Sequence, residues 1–331
     1  MPEVTVVGAG AIGGFVAARL AAAGVDVTVV DANEEHVGAI RRDGLRVEGA
    51  ASLEAHPRAL TPHELDDPLG LVLLAVKARH TADALATIAP LLRADGAVVS
   101  LQNGLEEYRI AAAVGAARTI GAVLTFGGHY ERPGVVHYGG PGSLHVGELD
   151  GRTSERLERV AALLSLAHPA EVTDHVVADL WSKVALGAFY FGTALIDADV
   201  LEILDRPDAL AVLGRLVAEV ARVAAAEGVE LREVDGFDPS AFVREDGDAV
   251  ARSWESQRRY WRALQARRTG VWRDLTVHRR PTELDQVVGP VLERAARHRL
   301  ETPRLRRLAE LVHEAEAGRL RAGYDAVAEL A

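Results

Sequence analysis

The chain has 331 residues, enough for two domains, and its 49% hydrophobic and 26% charged content is that of an ordinary soluble globular protein. A net charge of −11 argues against non-specific nucleic-acid binding. The absence of cysteine excludes disulfides, a thiolate nucleophile and cysteine-based metal or iron–sulfur sites. The longest apolar runs, Leu69 to Val76 and Val184 to Ile196, are too short for a membrane span, so no membrane partner is expected. Strand-like V-T-V-V follows almost directly on Met1, so a cytoplasmic location without a signal peptide is expected.

In chain order, strands are expected at Val4–Val7, Val27–Val30, Leu71–Val76, Ala97–Leu101 and Thr119–Leu124. Helical patterns lie between them at Ala11–Ala23, His80–Leu92 and Glu106–Val114. Alternation of this kind predicts an α/β fold, a doubly wound parallel Rossmann sheet with helices on both faces. From Phe126 to Glu148 the chain breaks into short strands separated by G-G, P-G and G-G-P-G, which reads as an antiparallel meander. A helix near Ser154–Ala167 and a strand near Val172 complete a first domain over 1–173. Residues 174–331 read as an all-α domain, with periodic segments at 174–196, 208–228, 239–265, 283–299 and 303–317. Leu308, Leu311 and Val312 suit either a core or a dimer surface, and a homodimer is the assembly favoured.

G-A-G-A-I-G, Gly8 to Gly13, follows the first strand and opens the first helix. In such a loop the first glycine permits a tight turn and the second lets the backbone approach a pyrophosphate. The third allows close helix–sheet packing, and the helix N-terminus around Ala11 and Ile12 supplies donors and positive dipole. Asp31 ends the second strand, where an acidic residue accepts hydrogen bonds from the ribose hydroxyls and repels a 2′-phosphate. No arginine stands at 31 or 32, and Arg41 and Arg42 lie too far along. NAD(H) is therefore the expected cofactor, with NADP(H) as the alternative and a ligand-free glycine turn as the bland reading.

Of 37 basic residues, 35 are arginine, and the two lysines are Lys77 and Lys183. Arginine keeps its proton near neutral pH, whereas a buried lysine can release it. Two retained lysines therefore mark places where arginine is the wrong chemistry. Lys77 follows L-L-A-V and Asn103 follows V-V-S-L-Q, both at C-terminal strand ends where open parallel sheets bind ligands. The plainer readings are a solvated strand end and a simple Asn-Gly turn. The arginine-rich 258–268 stretch reads as the solvated face of an amphipathic helix or, more sharply, as an attractor for an anionic small molecule. His129, His137 and His145 lack a carboxylate pattern, so no metal site is expected, and no G-x-S-x-G elbow is present.

Together with V-K-A at 76–78, Q-N-G at 102–104, P-G-V-V-H at 133–137, W-S-K at 181–183 and R-P-T-E-L-D at 280–285, the glycine loop resembles the ketopantoate reductase (2-dehydropantoate 2-reductase) family. The resemblance spans nearly the whole chain. It implies an N-terminal Rossmann domain, a helical C-terminal domain and hydride delivery from a reduced nicotinamide to the carbonyl of a 2-oxo acid. It also implies that Lys183 is the general acid and that Asn103 lies beside nicotinamide and substrate. Glu283 would hold the lysine or a substrate hydroxyl, and Lys77 would serve the cofactor side. The chemistry agrees, because a ketone accepting hydride needs a proton donor within reach. An ammonium among apolar neighbours is also better able to release that proton. On a helix, Asp179, Lys183, Gly187 and Tyr190 share a face, although Asp179–Lys183 could equally be a surface ion pair.

The chain departs from the family's pattern at the substrate. Family members carry asparagines one and two turns after the lysine, where this chain has Gly187 and Phe191. A common serine is replaced by Gly270, beside Thr269, and one extra residue separates Asp274 from Glu283. Lost amides and a hydroxyl, with space and aromatic surface in their place, favour a small-molecule substrate bulkier or less polar than ketopantoate. Arg273, Arg279 and Arg280 are candidates to hold its carboxylate. Two rivals stand beside this reading: a dehydrogenase of a 3-hydroxy acid or an imine, and an inactive dinucleotide-binding sensor.

Overall fold

The structure is a computed structural model that describes residues 3–264 and 267–331, so Met1 and the Gln265–Ala266 part of the arginine-rich stretch lie outside the described residues. The chain divides into two compact units, Met1–Val176 and Val177–Ala331.

In the first unit the strands are β1 (Val4–Val7), β2 (Val27–Val30), β3 (Leu45–Gly49), β4 (Leu53–Ala55), β5 (Arg58–Leu60), β6 (Leu69–Leu74), β7 (Leu92–Ser100), β8 (Thr119–Leu124), β9 (Gly128–Arg132), β10 (Val135–Tyr138), β11 (Leu144–Glu148) and β12 (Glu171–Val172). The helices are α1 (Ala11–Ala22), α2 (Glu34–Asp43), α3 (Thr81–Ile88), α4 (Glu106–Val114) and α5 (Glu155–Leu164). Eight strands form one sheet in the order β12-β11-β8-β7-β6-β1-β2-β5, parallel from β5 to β8. Strand side chains alternate between its faces. Val4, Val6, Leu73 and Val99 enter a core shared with α1, α2 and α5. Val7, Val72, Leu74 and Val98 enter the opposite core, with Leu85, Ile88, Ile110 and Val114 of α3 and α4.

The 126–148 segment is not a single meander. Strands β9 and β10 form a hairpin that joins β3 and β4 in a separate sheet, with β10 parallel to β3. Strand β11 instead pairs antiparallel with β8 in the main sheet. Burial explains the split: β9 is half-exposed and polar, an edge strand, whereas β11 is almost wholly buried and needs cover on both faces.

Glu148 closes this edge. Its carboxylate accepts from Ser154 Oγ at 2.6 Å and Arg156 Nε at 2.7 Å, tying β11 to the start of α5. Burial works to raise its pKa, but the bonds from Arg156 and Ser154 outweigh that and hold the carboxyl below its ordinary range.

The second unit is helical: α6 (Val176–Ala194, which begins at the boundary), α7 (Val200–Leu204), α8 (Pro207–Ala226), α9 (Ala241–Arg244), α10 (Gly247–Ala263), α11 (Gly270–Trp272), α12 (Leu284–Val287), α13 (Gly289–Arg297), α14 (Pro303–Glu316) and α15 (Tyr324–Ala328). The periodic segment at 239–265 is two helices, because Glu245 takes a left-handed φ of 54° and Asp246 caps a new start by accepting from Ala249 N at 3.0 Å. Helix α6 packs on α10 through Phe189 and Trp254, ring centroids 4.9 Å apart. A Cβ at Gly192 would collide with Leu213 of α8, so those two helices pass at close range. Arg273–Val277 forms a π turn. A helix accommodates one inserted residue in this way, and the turn overlaps the Asp274–Glu283 segment where one is expected.

Because the Glu148 carboxyl titrates lower when folded, its contribution is full above the unfolded carboxylate range and is lost as pH falls through its folded pKa. Glu148→Gln should cost about 2 kcal/mol at neutral pH. The melting-temperature gap between wild type and variant should shrink in acid below about pH 4. A gap unchanged from neutral to acid would contradict this assignment.

Candidate active site

In the first unit, four of the singled-out segments stand in a row. Asn103 follows β7, Lys77 follows β6, the glycine loop follows β1, and Asp31 follows β2. These strands are neighbours in the order β7-β6-β1-β2, so the row crosses three strand spacings, about 14 Å. The chain leaves β1 toward β2 on one side and returns to β6 on the other, which puts the glycine loop at the topological switch point.

Each glycine of the loop has its own reason. Gly8 has φ of 95°, and a Cβ there would stand 2.7 Å from Val76 N, so the β1 and β6 turns meet too closely for a side chain. A Cβ at Gly13 would collide with the Gly8 carbonyl oxygen and lie 2.8 Å from Ala75 Cβ. Gly10 is different: a Cβ would meet nothing within 4 Å, so its space is open to a ligand. The helical ladder begins at Gly14 N–H to Gly10 O, 2.8 Å, which leaves the first-turn N–H groups of Ala11, Ile12 and Gly13 without an intrahelical carbonyl. That is an anion cradle of the kind a pyrophosphate needs.

Asp31 braces this cradle. Its Oδ2 accepts from Ala9 N at 2.7 Å and its Oδ1 from Asn33 N at 2.8 Å. Arg41 and Arg42 are engaged elsewhere: Arg41 binds Glu64 at 2.6 Å and the Ala59 carbonyl at 2.8 Å, and Arg42 pairs with Asp43 at 3.0 Å. Lys77 and Asn103 are both exposed. Gln102, 4% exposed and carrying no expected role in the sequence, ties their turns together. Its Nε2 donates to the Val76 carbonyl at 2.9 Å and to Thr81 Oγ1 at 2.8 Å. The sequence signal was an amide next to Asn103 at a strand end.

In the second unit, Lys183 sits on α6, which is buried along most of its length. From Ala178 to Ala194 the partly exposed positions are Lys183, Leu186, Gly187 and Tyr190, one stripe at i, i+3, i+4 and i+7. Asp179, one turn before Lys183, is 6% exposed, so it belongs to the buried part of the helix. The neighbouring Ser182 is pinned from the buried side, donating to the Arg232 carbonyl at 2.7 Å and accepting from Arg232 N at 3.3 Å. A Cβ at Gly187 would lie 3.6 Å from Val287 Cγ1. Val287 is one turn after Glu283, so the Glu283 segment runs beside the α6 stripe. Thr282 fixes that segment by donating to Glu316 through N at 2.8 Å and Oγ1 at 2.7 Å.

The substrate-side candidates fare unequally. Tyr190 donates its hydroxyl to Gln257 Oε1 at 2.6 Å and accepts from Trp261 Nε1 at 3.2 Å, and burial pushes its pKa up. Its ring, not its hydroxyl, is what it can offer a ligand. Phe191 is 3% exposed, part of the packed interior and not open aromatic surface. Thr269 is buried and its Oγ1 caps α11, accepting from Trp272 N at 3.1 Å. Arg280 pairs with Asp274 at 2.7 Å, while Arg273 is half-buried in the π turn and Arg279 is exposed. In the arginine-rich stretch, Arg258 pairs with Asp205 and Glu255, Arg262 with Glu255, and Arg268 with Asp197 and Asp199.

Two family models, described as ketopantoate reductase PanE/ApbA and its C-terminal counterpart, match residues 4–151 and 175–316. The chain belongs to the ketopantoate reductase family. A 2-dehydropantoate 2-reductase of Halobacterium salinarum is 32% identical over 321 residues, covering 95% of this chain and 99% of the relative. The PanE/ApbA family ketopantoate reductase of Ralstonia eutropha JMP134 matches in structure with a TM-score of 0.80 at 26% identity, over 97% of this chain and 100% of that one. A D-mandelate dehydrogenase solved with NADH and anilino(oxo)acetate shares the fold, with a TM-score of 0.82 at 24% identity over 96% and 99% of the two chains. This ketopantoate reductase family member is thus an oxidoreductase acting on a carbonyl/alcohol pair, with a nicotinamide dinucleotide cofactor. The open space at Gly10 and the first-turn N–H groups fit that cofactor. Among the described residues, no three His, Asp or Glu side chains gather as a metal site, and no helix is long and apolar enough to cross a membrane.

Gly10→Ala and Gly13→Ala should part company. The first should fold with a near-native melting temperature and lose cofactor affinity tenfold or more, since a methyl group fills open ligand space. The second should lose stability by several kcal/mol through backbone collision (roughly 3 or more). Near-native cofactor binding by a folded Gly10→Ala protein would remove the cradle assignment.

Proposed function

We propose that this protein is an NAD(H)-preferring reductase of a 2-oxo acid, with Lys183 as the general acid and a substrate bulkier or less polar than ketopantoate. The observation that supports it most is the exposure pattern of α6: a single ammonium in a four-residue opening on a helix that is otherwise buried from Ala178 to Ala194. When bound, the reduced dinucleotide supplies the hydride. This chain's residues then have separate tasks. The Gly10 space and the first-turn N–H groups hold the pyrophosphate, and Lys77 serves the cofactor side. Asp31 accepts from the adenosine ribose and repels a 2′-phosphate. Arg41 and Arg42, the arginines that follow Asp31 in the chain, are engaged by Glu64 and Asp43.

Asn103 orients the substrate carbonyl. As its oxygen gains alkoxide character, Lys183 Nζ donates the proton, and Glu283 keeps the ammonium or a substrate hydroxyl in place. Substrate size follows from Gly187. Where family members place an amide, this chain has no side chain; Val287 stands 3.6 Å from where a Cβ would be, and Leu186 and Tyr190 are partly exposed on the same helix face. Such a surface favours apolar bulk and discriminates weakly, by about 1–3 kcal/mol per methylene. Arg273 and Arg279 are the guanidinium candidates for the substrate carboxylate, because Arg280 is paired to Asp274.

Steady-state oxidation of NADH and NADPH, with ketopantoate and with 2-oxo acids carrying larger apolar groups, tests this reading. NADH should be used with about fivefold higher kcat/KM, the worth of one missing surface charge contact of about 1 kcal/mol, and the apolar substrates should outrun ketopantoate. Lys183→Ala should bind NADH normally and lose about 10²–10⁴-fold in kcat. Full turnover by the variant would end the role of Lys183, and a preference for NADPH or for ketopantoate would end the corresponding specificity.

A further inference from the structure

We propose that His36 is a positioning residue for the dinucleotide, holding the glycine-rich loop through the Ala9 carbonyl. This rests on the reading that the loop binds the cofactor. His36 lies in the first turn of α2 and is 1% exposed. Gly134 N–H donates to its Nδ1 at 2.9 Å. A ring nitrogen that accepts carries no proton, so in the neutral imidazole the proton is on Nε2. Nε2 stands 2.9 Å from the Ala9 carbonyl and donates to it. The hairpin thus sets the tautomer, and the tautomer sets the bond to the loop.

The Ala9 peptide groups are gripped on both sides. Asp31 Oδ2 holds the N–H at 2.7 Å, and His36 holds the carbonyl. The grip matters because of helix geometry. The Ala9 carbonyl lies four residues before Gly13, so it is the acceptor Gly13 N–H would take if α1 wound back by one more residue. His36 engages that carbonyl, and the ladder starts one residue later, at Gly14 N–H to Gly10 O. Three first-turn N–H groups then stay available to an anion. The edge of Tyr130, with ring centroids 5.1 Å apart at 76°, packs on the imidazole and fixes its plane. Because Gly134 belongs to the β9–β10 turn, the loop that receives the cofactor is held to its own sheet by Asp31 and to the second sheet by His36.

Two substitutions separate the two bonds. Asparagine places an acceptor where Nδ1 stood, so His36→Asn keeps the Gly134 bond and cannot reach Ala9. Glutamine places an amide N–H where Nε2 stood, so His36→Gln keeps the Ala9 bond and gives up the other. Dissociation constants of NADH and NADPH, measured by fluorescence on the full chain alongside melting temperatures, read the outcome. His36→Asn should weaken the preferred cofactor about tenfold, the worth of one buried hydrogen bond. His36→Gln should stay within about threefold, although both variants melt lower. The loss should show in cofactor affinity more than in kcat at saturating cofactor. Equal affinities in the two variants, or losses that only track melting temperature, would overturn the positioning role. Wild-type protein that binds neither dinucleotide would instead overturn the cofactor reading beneath it.

Discussion

The first turn of α1 lies so close to the loop before it that one added carbon at residue 13 would collide with the Gly8 carbonyl oxygen. One carbon at residue 8 would equally strike the backbone of Val76. These two absences of side chain let the β1 and β6 turns and the start of α1 come together at the point where the sheet's winding reverses. The open space at Gly10, the free first-turn donors and the row of Asp31, Lys77 and Asn103 all follow from that approach. Around it stand polar groups that hold its backbone: Asp31 and His36 on either side of Ala9, and Gln102 between the 76 and 81 turns.

The second unit uses the opposite device. Helix α6 is packed on nearly every side, by α8 at Gly192, by α10 through Phe189, and by the Arg232 backbone at Ser182. What remains open is one narrow stripe, and the chain's second lysine stands at its head. A side chain with four rotatable bonds is a poor acid unless its helix is held still. The rigidity of α6 is therefore part of the chemistry proposed for it. On the proposed function the same packing limits the substrate surface: Phe191 and Thr269 are taken up by the core and by a helix cap, which leaves Gly187 and its neighbours as the residues proposed to meet the substrate.

Much of this was legible in the sequence where the deciding forces are local. The bounds of Val4–Val7, Val27–Val30, Thr119–Leu124 and Glu106–Val114 follow from hydrophobic period alone, and the glycine loop is read from three residues and its flanks. Strands Leu45–Gly49, Leu53–Ala55 and Arg58–Leu60 escaped because they are short and carry little periodic signal. The partition of β9–β11 between two sheets escaped because β10 pairs with β3, some ninety residues earlier, and no local pattern records such a pairing. The residues proposed for the site divide the same way. Gly8, Asp31 and Lys183 announce themselves by type and place, whereas His36 acquires its role only from a turn at Gly134 that folding brings to it. Tyr190 shows the converse, a residue placed correctly on its helix face whose hydroxyl is claimed by Gln257 and Trp261 from a distant helix.

The central claim is that this chain moves hydride from a nicotinamide to the carbonyl carbon of a 2-oxo acid. The most direct measurement uses NADH carrying deuterium at C4 of the nicotinamide, in each of the two stereochemical forms, with NMR of the hydroxy acid formed. The account predicts deuterium on C2 of the product from one form and none from the other. Product without deuterium from either form, or tight NADH binding with no 2-oxo acid reduced, would contradict it.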